Sequence, residues 1–108
     1  MAEPQEVVRE LVMPDGVAIH YRVTRAGPPR KTVVVLLHGL SSNLTRWSEF
    51  LEHTTLKRDH DILRLDLRGH GRSLTRKRIG MRVWCEDLAR LLDHEGYAHA
   101  VLIGHSLG

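Results

Sequence analysis

The C-terminal residues 104–108 have the spacing Gly-x-Ser-x-Gly, with Ser106 at the centre between Gly104 and Gly108. A strand that reverses sharply into a helix strains the backbone of its central residue, and glycines two positions away give that residue clearance. The serine hydroxyl is then held out above the sheet, where it can attack an electrophilic carbonyl carbon. Because the pattern is short, it indicates a nucleophilic serine only if an apolar strand precedes it.

Two further clusters of glycine and polar residues follow apolar segments. His38, Gly39 and Leu40 come directly after the apolar run 32–37, and Asp66 opens the segment 66–73, which contains two glycines and two arginines. Functional groups of an open α/β sheet collect at the carboxyl ends of its strands. We therefore expect these two clusters and Ser106 to lie at one edge of a sheet.

The first two elements that must support this edge form a hairpin. Apolar residues at positions 17, 19, 21 and 23 alternate with less apolar ones, which is the period-2 pattern of a strand with one buried face. Pro14, Asp15 and Gly16 separate this segment from residues 6–13 and are typical of a tight turn. The pattern predicts an antiparallel hairpin at one edge of the sheet.

The remaining elements alternate between buried strands and amphipathic helices. Residues 32–37 read TVVVLL and predict a strand buried on both faces, and residues 61–65 and 100–103 are weaker versions of it. Helical spacing occurs in residues 44–51, capped by Ser42 or Asn43, and in residues 81–92, with Gly96 just past the end. The fold class is therefore α/β: an antiparallel hairpin followed by parallel strands joined by crossover helices.

Four motifs together resemble the α/β-hydrolase family over nearly the whole chain. They are LLHGL after the third strand, DLRGHGRS after the fourth, WCEDLARLLD in the second helix and VLIGHSLG at the fifth strand. The resemblance implies that Ser106 is a nucleophile and that the backbone N–H groups of Leu40 and Leu107 form an oxyanion hole. It also implies supporting roles for the remaining motif residues, which are His38, Gly39, Asp66, Gly104, His105 and Gly108.

Two of these supporting roles are specific. His38 and Gly39 would shape the loop after the third strand, and Asp66 would cap the loop after the fourth. The alternative for Asp66 is that it orients a catalytic base.

The resemblance also implies an acid and a histidine downstream of Ser106, but no residue follows Gly108. We therefore expect residues 1–108 to be a single, incomplete domain: the N-terminal part of a serine hydrolase sheet, ending at the nucleophile elbow. It would act on a carboxylic ester or related acyl bond and be inactive alone. The alternatives are a non-catalytic interaction module, a fragment completed by a partner in trans, and an enzyme whose base is His38, His70 or His105.

Residues 68–82 contain six arginines and lysines and no acidic residue. A solvated loop is the simplest interpretation, and the alternatives are a surface that attracts an anionic substrate or one that binds nucleic acid. The segment lacks the aromatic residues expected for single-strand binding. We predict that Met81, Trp84 and Leu88 of the second helix belong to the core.

Composition limits the cofactors and partners. The formal net charge is +3 and Cys85 is the only cysteine, so an internal disulfide is excluded and a reducing cytoplasm is expected. No complete dinucleotide, P-loop, HExxH, CxxC or EF-hand motif occurs, so we expect neither a cofactor nor a metal. We expect a small-molecule acyl substrate, no nucleic acid and no membrane. We also expect self-association through the apolar fifth strand.

Overall fold

A computed structural model describes residues 3–105 of the chain. The strands are β1 (Gln5–Val12), β2 (Ala18–Arg25), β3 (Thr32–Leu37), β4 (Asp61–Leu65) and β5 (His99–Gly104). The helices are α1 (Ser48–His53), preceded by a 3₁₀ turn (Leu44–Trp47) and followed by another (Leu56–Arg58), and α2 (Met81–Glu95). The predicted order of strands and helices is confirmed.

All five strands form one mixed sheet in the order β1-β2-β4-β3-β5. The β1–β2 hairpin is antiparallel and joins the sheet through an antiparallel pairing of β2 with β4. The pairs β3–β4 and β3–β5 are parallel. The α/β class and the antiparallel edge hairpin predicted from the sequence are therefore confirmed, and β1 and β5 are the two edge strands.

The sheet has an apolar core on each face, with one helix covering each. On the first face, Val33 and Val35 of β3 pack with β2 residues and with Leu91 of α2. On the opposite face, Val34 and Leu36 pack with Leu51 of α1. Alternation along β3 sends successive side chains to opposite faces, so the run TVVVLL is buried on both sides as predicted.

The first helix differs from the predicted one at its start. The chain enters as a 3₁₀ turn, and Asn43, rather than Ser42, is the cap, because its Oδ1 accepts the Thr45 N–H at 2.9 Å. The second helix agrees with the spacing, and Gly96 ends it in the left-handed conformation with φ of 85°. Trp84 and Leu88 pack against the core, but the prediction for Met81 is wrong, since this first helical residue is 61% exposed.

Strand β4 buries a charge that its apolar neighbours did not predict. Arg64 lies in the middle of β4 and donates from Nε and Nη2 to the carboxylate of Glu6 at 2.7 and 2.8 Å. Its Nη1 donates to the Leu44 carbonyl at 2.9 Å and to the Ser48 hydroxyl at 2.8 Å. This arginine links β1, β4 and the start of α1, and its charge is paired, as a buried charge must be.

Candidate active site

The carboxyl ends of β3 and β5 lie side by side at one edge of the sheet. Leu37, the last residue of β3, pairs with Gly104, the last residue of β5. The register continues for one more residue, because the His105 N–H donates to the Leu37 carbonyl at 3.1 Å. The loop that begins with His38 therefore starts next to the segment that leads to position 106. Ser106, Leu107 and Gly108 themselves lie outside the described residues.

His38 is fully buried between the loops that follow β3 and β4. Its Nε2 accepts the Leu67 N–H at 3.0 Å, so the ring proton resides on Nδ1, which donates to the Gly39 carbonyl at 2.7 Å. Burial lowers the pKa of His38 below its ordinary value of 6.5, and the bond to the Gly39 carbonyl opposes this only in part. The imidazole is neutral and both of its nitrogens are engaged.

The peptide between Gly39 and Leu40 is fixed by these contacts. The Gly39 carbonyl accepts bonds from His38 Nδ1 and from the Ser42 N–H, the latter at 3.2 Å. Because the peptide unit is planar and trans, the Leu40 N–H points away from this carbonyl. Ser41, next in the loop, has φ of 60°, a left-handed conformation that is uncommon outside glycine. The loop is thus held in a defined and strained conformation, in which the direction of the Leu40 N–H is fixed.

The side chain of Asp66 links the loop after β3 to the loop after β4. Its buried carboxylate accepts the Leu44 N–H at 2.7 Å and the Arg72 N–H at 2.9 Å. Gly71 packs directly on it, with φ of 52°, and a Cβ there would lie 2.5 Å from Asp66 Oδ2. Both oxygens of Asp66 therefore hold backbone groups of the surrounding loops.

An apolar cleft of about 170 Å³ opens beside the Leu40 loop on the face covered by α2. Trp84 forms one wall, fixed by a bond from its indole N–H to the Arg68 carbonyl at 3.0 Å. The other lining residues are Leu37, His38, Leu40, Leu67, Met81, Cys85, Leu88 and Leu102. The cleft is large enough only for a small apolar group.

The other two candidate histidines lie in different places. The His70 ring is 5.1 Å from that of His38 and 5.9 Å from that of Trp84, at the cleft side of the sheet edge. His105 is exposed near α1, and its Nε2 lies 3.0 Å from Arg46 Nη2. The structure thus brings His38 and His70 together and leaves His105 near α1.

Residues 68–82 were expected to form a solvated loop, but the side chain of Arg68 is buried. Its buried guanidinium forms a two-point pair with Asp87 of α2 at 2.8 and 2.9 Å and also contacts the Asp15 carboxylate. These hydrogen bonds and charges raise the pKa of Arg68 above its ordinary value. One sequence feature could have indicated this pair: Asp87 falls on the apolar stripe of α2, three residues after Trp84 and four before Leu91.

Comparison with known proteins identifies the family. A family model described as "alpha/beta hydrolase fold" matches residues 32–108. The chain belongs to the α/β-hydrolase family. A solved α/β-hydrolase from Novosphingobium aromaticivorans superposes with a TM-score of 0.79 at 31% identity, covering 100% of this chain and 37% of that one.

Curated α/β-hydrolase relatives carry diverse names. The magnesium-chelatase 30 kDa subunit of Rhodobacter capsulatus is 34% identical over 83% of this chain and 32% of its own length. A putative esterase/lipase of Haemophilus influenzae is 31% identical over 70% of this chain and 26% of its own length. Other relatives are named as esterases, lipases and epoxide hydrolases. This chain spans about a third or less of the length of these relatives.

Two further findings concern metals and membranes. Among residues 3–105, no group of three or more His, Cys, Asp or Glu side chains is arranged to hold a metal ion. Within the same residues, neither helix is both long and apolar enough to cross a membrane.

Proposed function

We propose that this chain carries the nucleophile and the oxyanion loop of a serine hydrolase that acts on a carboxylic ester or related acyl bond. The observation that carries the proposal is the Leu37–Gly104 pairing, which brings the fixed Gly39–Leu40 peptide beside the end of β5. Ser106 follows two residues after that pairing. The Ser106 oxygen would bond to the acyl carbon, and the Leu40 and Leu107 N–H groups would stabilise the resulting oxyanion.

The nucleophile favours acyl chemistry over the other reactions named among the relatives. A serine hydroxyl attacks a carbonyl carbon and forms an acyl-enzyme, which water then hydrolyses. Epoxide opening in this family depends on an aspartate nucleophile, and residue 106 is a serine. An ester is therefore the proposed substrate class.

We further propose that the 108 residues alone hydrolyse esters poorly, because a base for Ser106 is missing. A serine needs an imidazole to accept its proton as the acyl bond forms. The ring nitrogens of His38 both hold backbone groups, and His105 Nε2 contacts Arg46. The Nδ1 of His70 lies 3.3 Å from the Arg68 carbonyl, and its ring packs between those of His38 and Trp84. The roles of acid and base would fall to segments like those in the longer relatives.

A chimera tests the proposed function. Residues 1–108 would be joined to the part of the Haemophilus influenzae relative that follows the matched region, and hydrolysis of p-nitrophenyl butyrate would be measured. We expect turnover in the chimera and a loss of about a thousandfold or more in its Ser106→Ala variant, because the nucleophile is removed.

The matched control is Ser42→Ala, which changes a serine in the loop after β3 and should preserve turnover. A chimera that unfolds cooperatively yet shows no turnover would contradict the proposal, as would turnover that survives Ser106→Ala. Rapid labelling of Ser106 by a fluorophosphonate in the 108-residue chain would contradict the proposal that this chain alone lacks a base for Ser106.

A second candidate, a non-catalytic module or a fragment completed in trans, rests on the exposure of β5. Val101 and Leu102 are 53% and 54% exposed on an edge strand. Such an edge is a template for another strand, which a second copy or a partner would supply.

A further inference from the structure

We propose that residues 72–82 form a docking surface for an anionic lipid bilayer. The surface, termed here the basic loop surface, consists of three arginines and three apolar residues: Arg72, Leu74, Arg76, Arg78, Ile79 and Met81. It would lie on the bilayer with its arginines at the headgroup phosphates and its apolar side chains among the upper acyl carbons.

The arginines of this surface are available to a ligand. Four carboxylates contact the segment 68–82. Asp15 and Asp87 pair with the Arg68 side chain, and Glu86 lies beside Arg82. Asp66 accepts the backbone N–H of Arg72 and, among the described residues, leaves the Arg72 guanidinium unpaired. Arg72, Arg76 and Arg78 are exposed and form no ion pair within residues 3–105. Positive charge therefore accumulates at one place on a chain whose formal net charge is only +3.

Large apolar side chains stand among these charges. Leu74 is 74% exposed and Ile79 is 50% exposed, and Met81 follows at the start of α2. Three exposed aliphatic side chains thus fall within residues 74–81, whereas exposed apolar residues on a soluble surface are ordinarily scattered singly. Met81 also lines the apolar cleft, so the basic loop surface adjoins the mouth of that cleft.

The loop is anchored at several points, which keeps its exposed side chains facing outward. The Ser73 hydroxyl accepts the His20 N–H at 2.9 Å, and the Ser73 carbonyl accepts the Gly69 N–H at 2.8 Å. The ammonium of Lys77 contacts the Asp15 carbonyl. Docking would therefore need little ordering of the backbone, and less of the binding free energy would be lost to entropy.

The apolar residues favour a lipid surface over a nucleic acid. Residues 72–82 contain no phenylalanine, tyrosine, tryptophan or histidine, so no ring of the basic loop surface can stack on a base. Leucine, isoleucine and methionine instead gain free energy by leaving water for acyl chains. A surface that lies on a bilayer needs no membrane-spanning helix, so this proposal is compatible with the two helices of residues 3–105, neither of which could span a membrane. It replaces the sequence-based expectation of no membrane partner.

Vesicle sedimentation with the 108-residue chain tests the proposal. We expect the chain to bind vesicles of equal parts phosphatidylglycerol and phosphatidylcholine. It should not bind vesicles of pure phosphatidylcholine. The double variant Arg76→Gln/Arg78→Gln should weaken partitioning by about tenfold or more, because two headgroup contacts are lost. The double variant Leu74→Ser/Ile79→Ser should weaken it by a similar factor, because insertion is lost.

Two controls separate this surface from general charge and from the exposed strand. Lys31→Gln/Arg58→Gln removes two exposed charges near the amino ends of β3 and β4, and Val101→Ser changes β5; both should bind as the unaltered chain does. Circular dichroism would verify that every variant is folded. The proposal is overturned if the controls lose binding equally, if the Leu74/Ile79 variant binds normally, or if anionic vesicles do not bind.

A final arm uses a single-stranded oligonucleotide at the same phosphate concentration. Tighter binding to the oligonucleotide than to anionic vesicles would assign the surface to nucleic acid and overturn the lipid proposal. The vesicle assay does not depend on Ser106, so it can fail or succeed independently of the proposed esterase activity.

Discussion

At the scale of single residues, His38 shows how one side chain fixes the geometry of a reactive edge. It accepts an N–H from the loop after β4 and donates to a carbonyl in the loop after β3. A protonated imidazole has no acceptor nitrogen, so the bond from Leu67 requires the neutral form. The direction of the Leu40 N–H therefore depends on the protonation state of a neighbouring residue.

This dependence predicts how stability changes with pH. The pKa of His38 is lowered in the folded state, so below about pH 6.5 the unfolded chain takes up a proton that the folded chain does not. The stabilisation by neutral His38 is thus complete above the unfolded pKa and is lost as pH falls toward the folded one. We expect the free energy of unfolding in urea to fall between pH 7.5 and 5.5 in the unaltered chain.

The variant His38→Gln isolates this effect. Its amide oxygen can still accept the Leu67 N–H, so we expect a loss of only about 1 kcal/mol at pH 7.5, mainly from the missing bond to Gly39. The difference from the unaltered chain should shrink as pH falls. His99→Gln, at an exposed position, is the control and should leave the pH profile unchanged; an identical profile in His38→Gln would contradict the assignment.

At the scale of elements, Asp66 holds together the loops at the sheet edge. Gly71, which has no side chain, leaves room for the Asp66 carboxylate. The Gly71→Ala variant would place a methyl group on the Asp66 carboxylate and hold alanine at φ of 52°. We expect a destabilisation of about 3 kcal/mol, because strain and displaced hydrogen bonds add. Gly27→Ala, where nothing lies within 4 Å of an added Cβ, should change stability by less than about 0.5 kcal/mol in the same urea titration. Equal effects at both positions would argue against the packing role of Gly71.

The elements themselves were predictable because each is determined by local patterning. Period-2 alternation located β2, a continuous apolar run located β3, and 3.6-residue spacing located α2. Side-chain partners far apart in sequence were not predictable in this way. Arg64 pairs with Glu6 across 58 positions, and His38 accepts from Leu67 across 29. The positions of the site loops followed from the strand ends, but the contacts that fix those loops required the structure.

At the scale of the whole molecule, the two edges of the sheet differ in how they resist pairing with another chain. β1 reads QEVVRELV and carries Glu6, Arg9 and Glu10, whereas β5 reads HAVLIG and carries no aspartate, glutamate, lysine or arginine. Charged side chains on an edge strand disfavour edge-to-edge association, and an apolar edge favours it. The unprotected edge is also the one that leads to Ser106.

We therefore expect the chain to self-associate through β5. Light scattering should show a mass that rises with concentration, and Val101→Lys should reduce it toward that of a monomer, because a charge would be buried at the new strand pairing. Val8→Lys, an exposed valine on β1, is the matched control and should leave association unchanged, since β1 already carries charges. A monodisperse monomer at high concentration would contradict the expectation. Equal effects of Val101→Lys and Val8→Lys would indicate that the chains do not associate through β5. If association is confirmed, the apolar edge of β5 explains it: a strand with no charge of its own offers its unpaired N–H and C=O groups to another strand, whether that strand comes from a second copy or from a partner in trans.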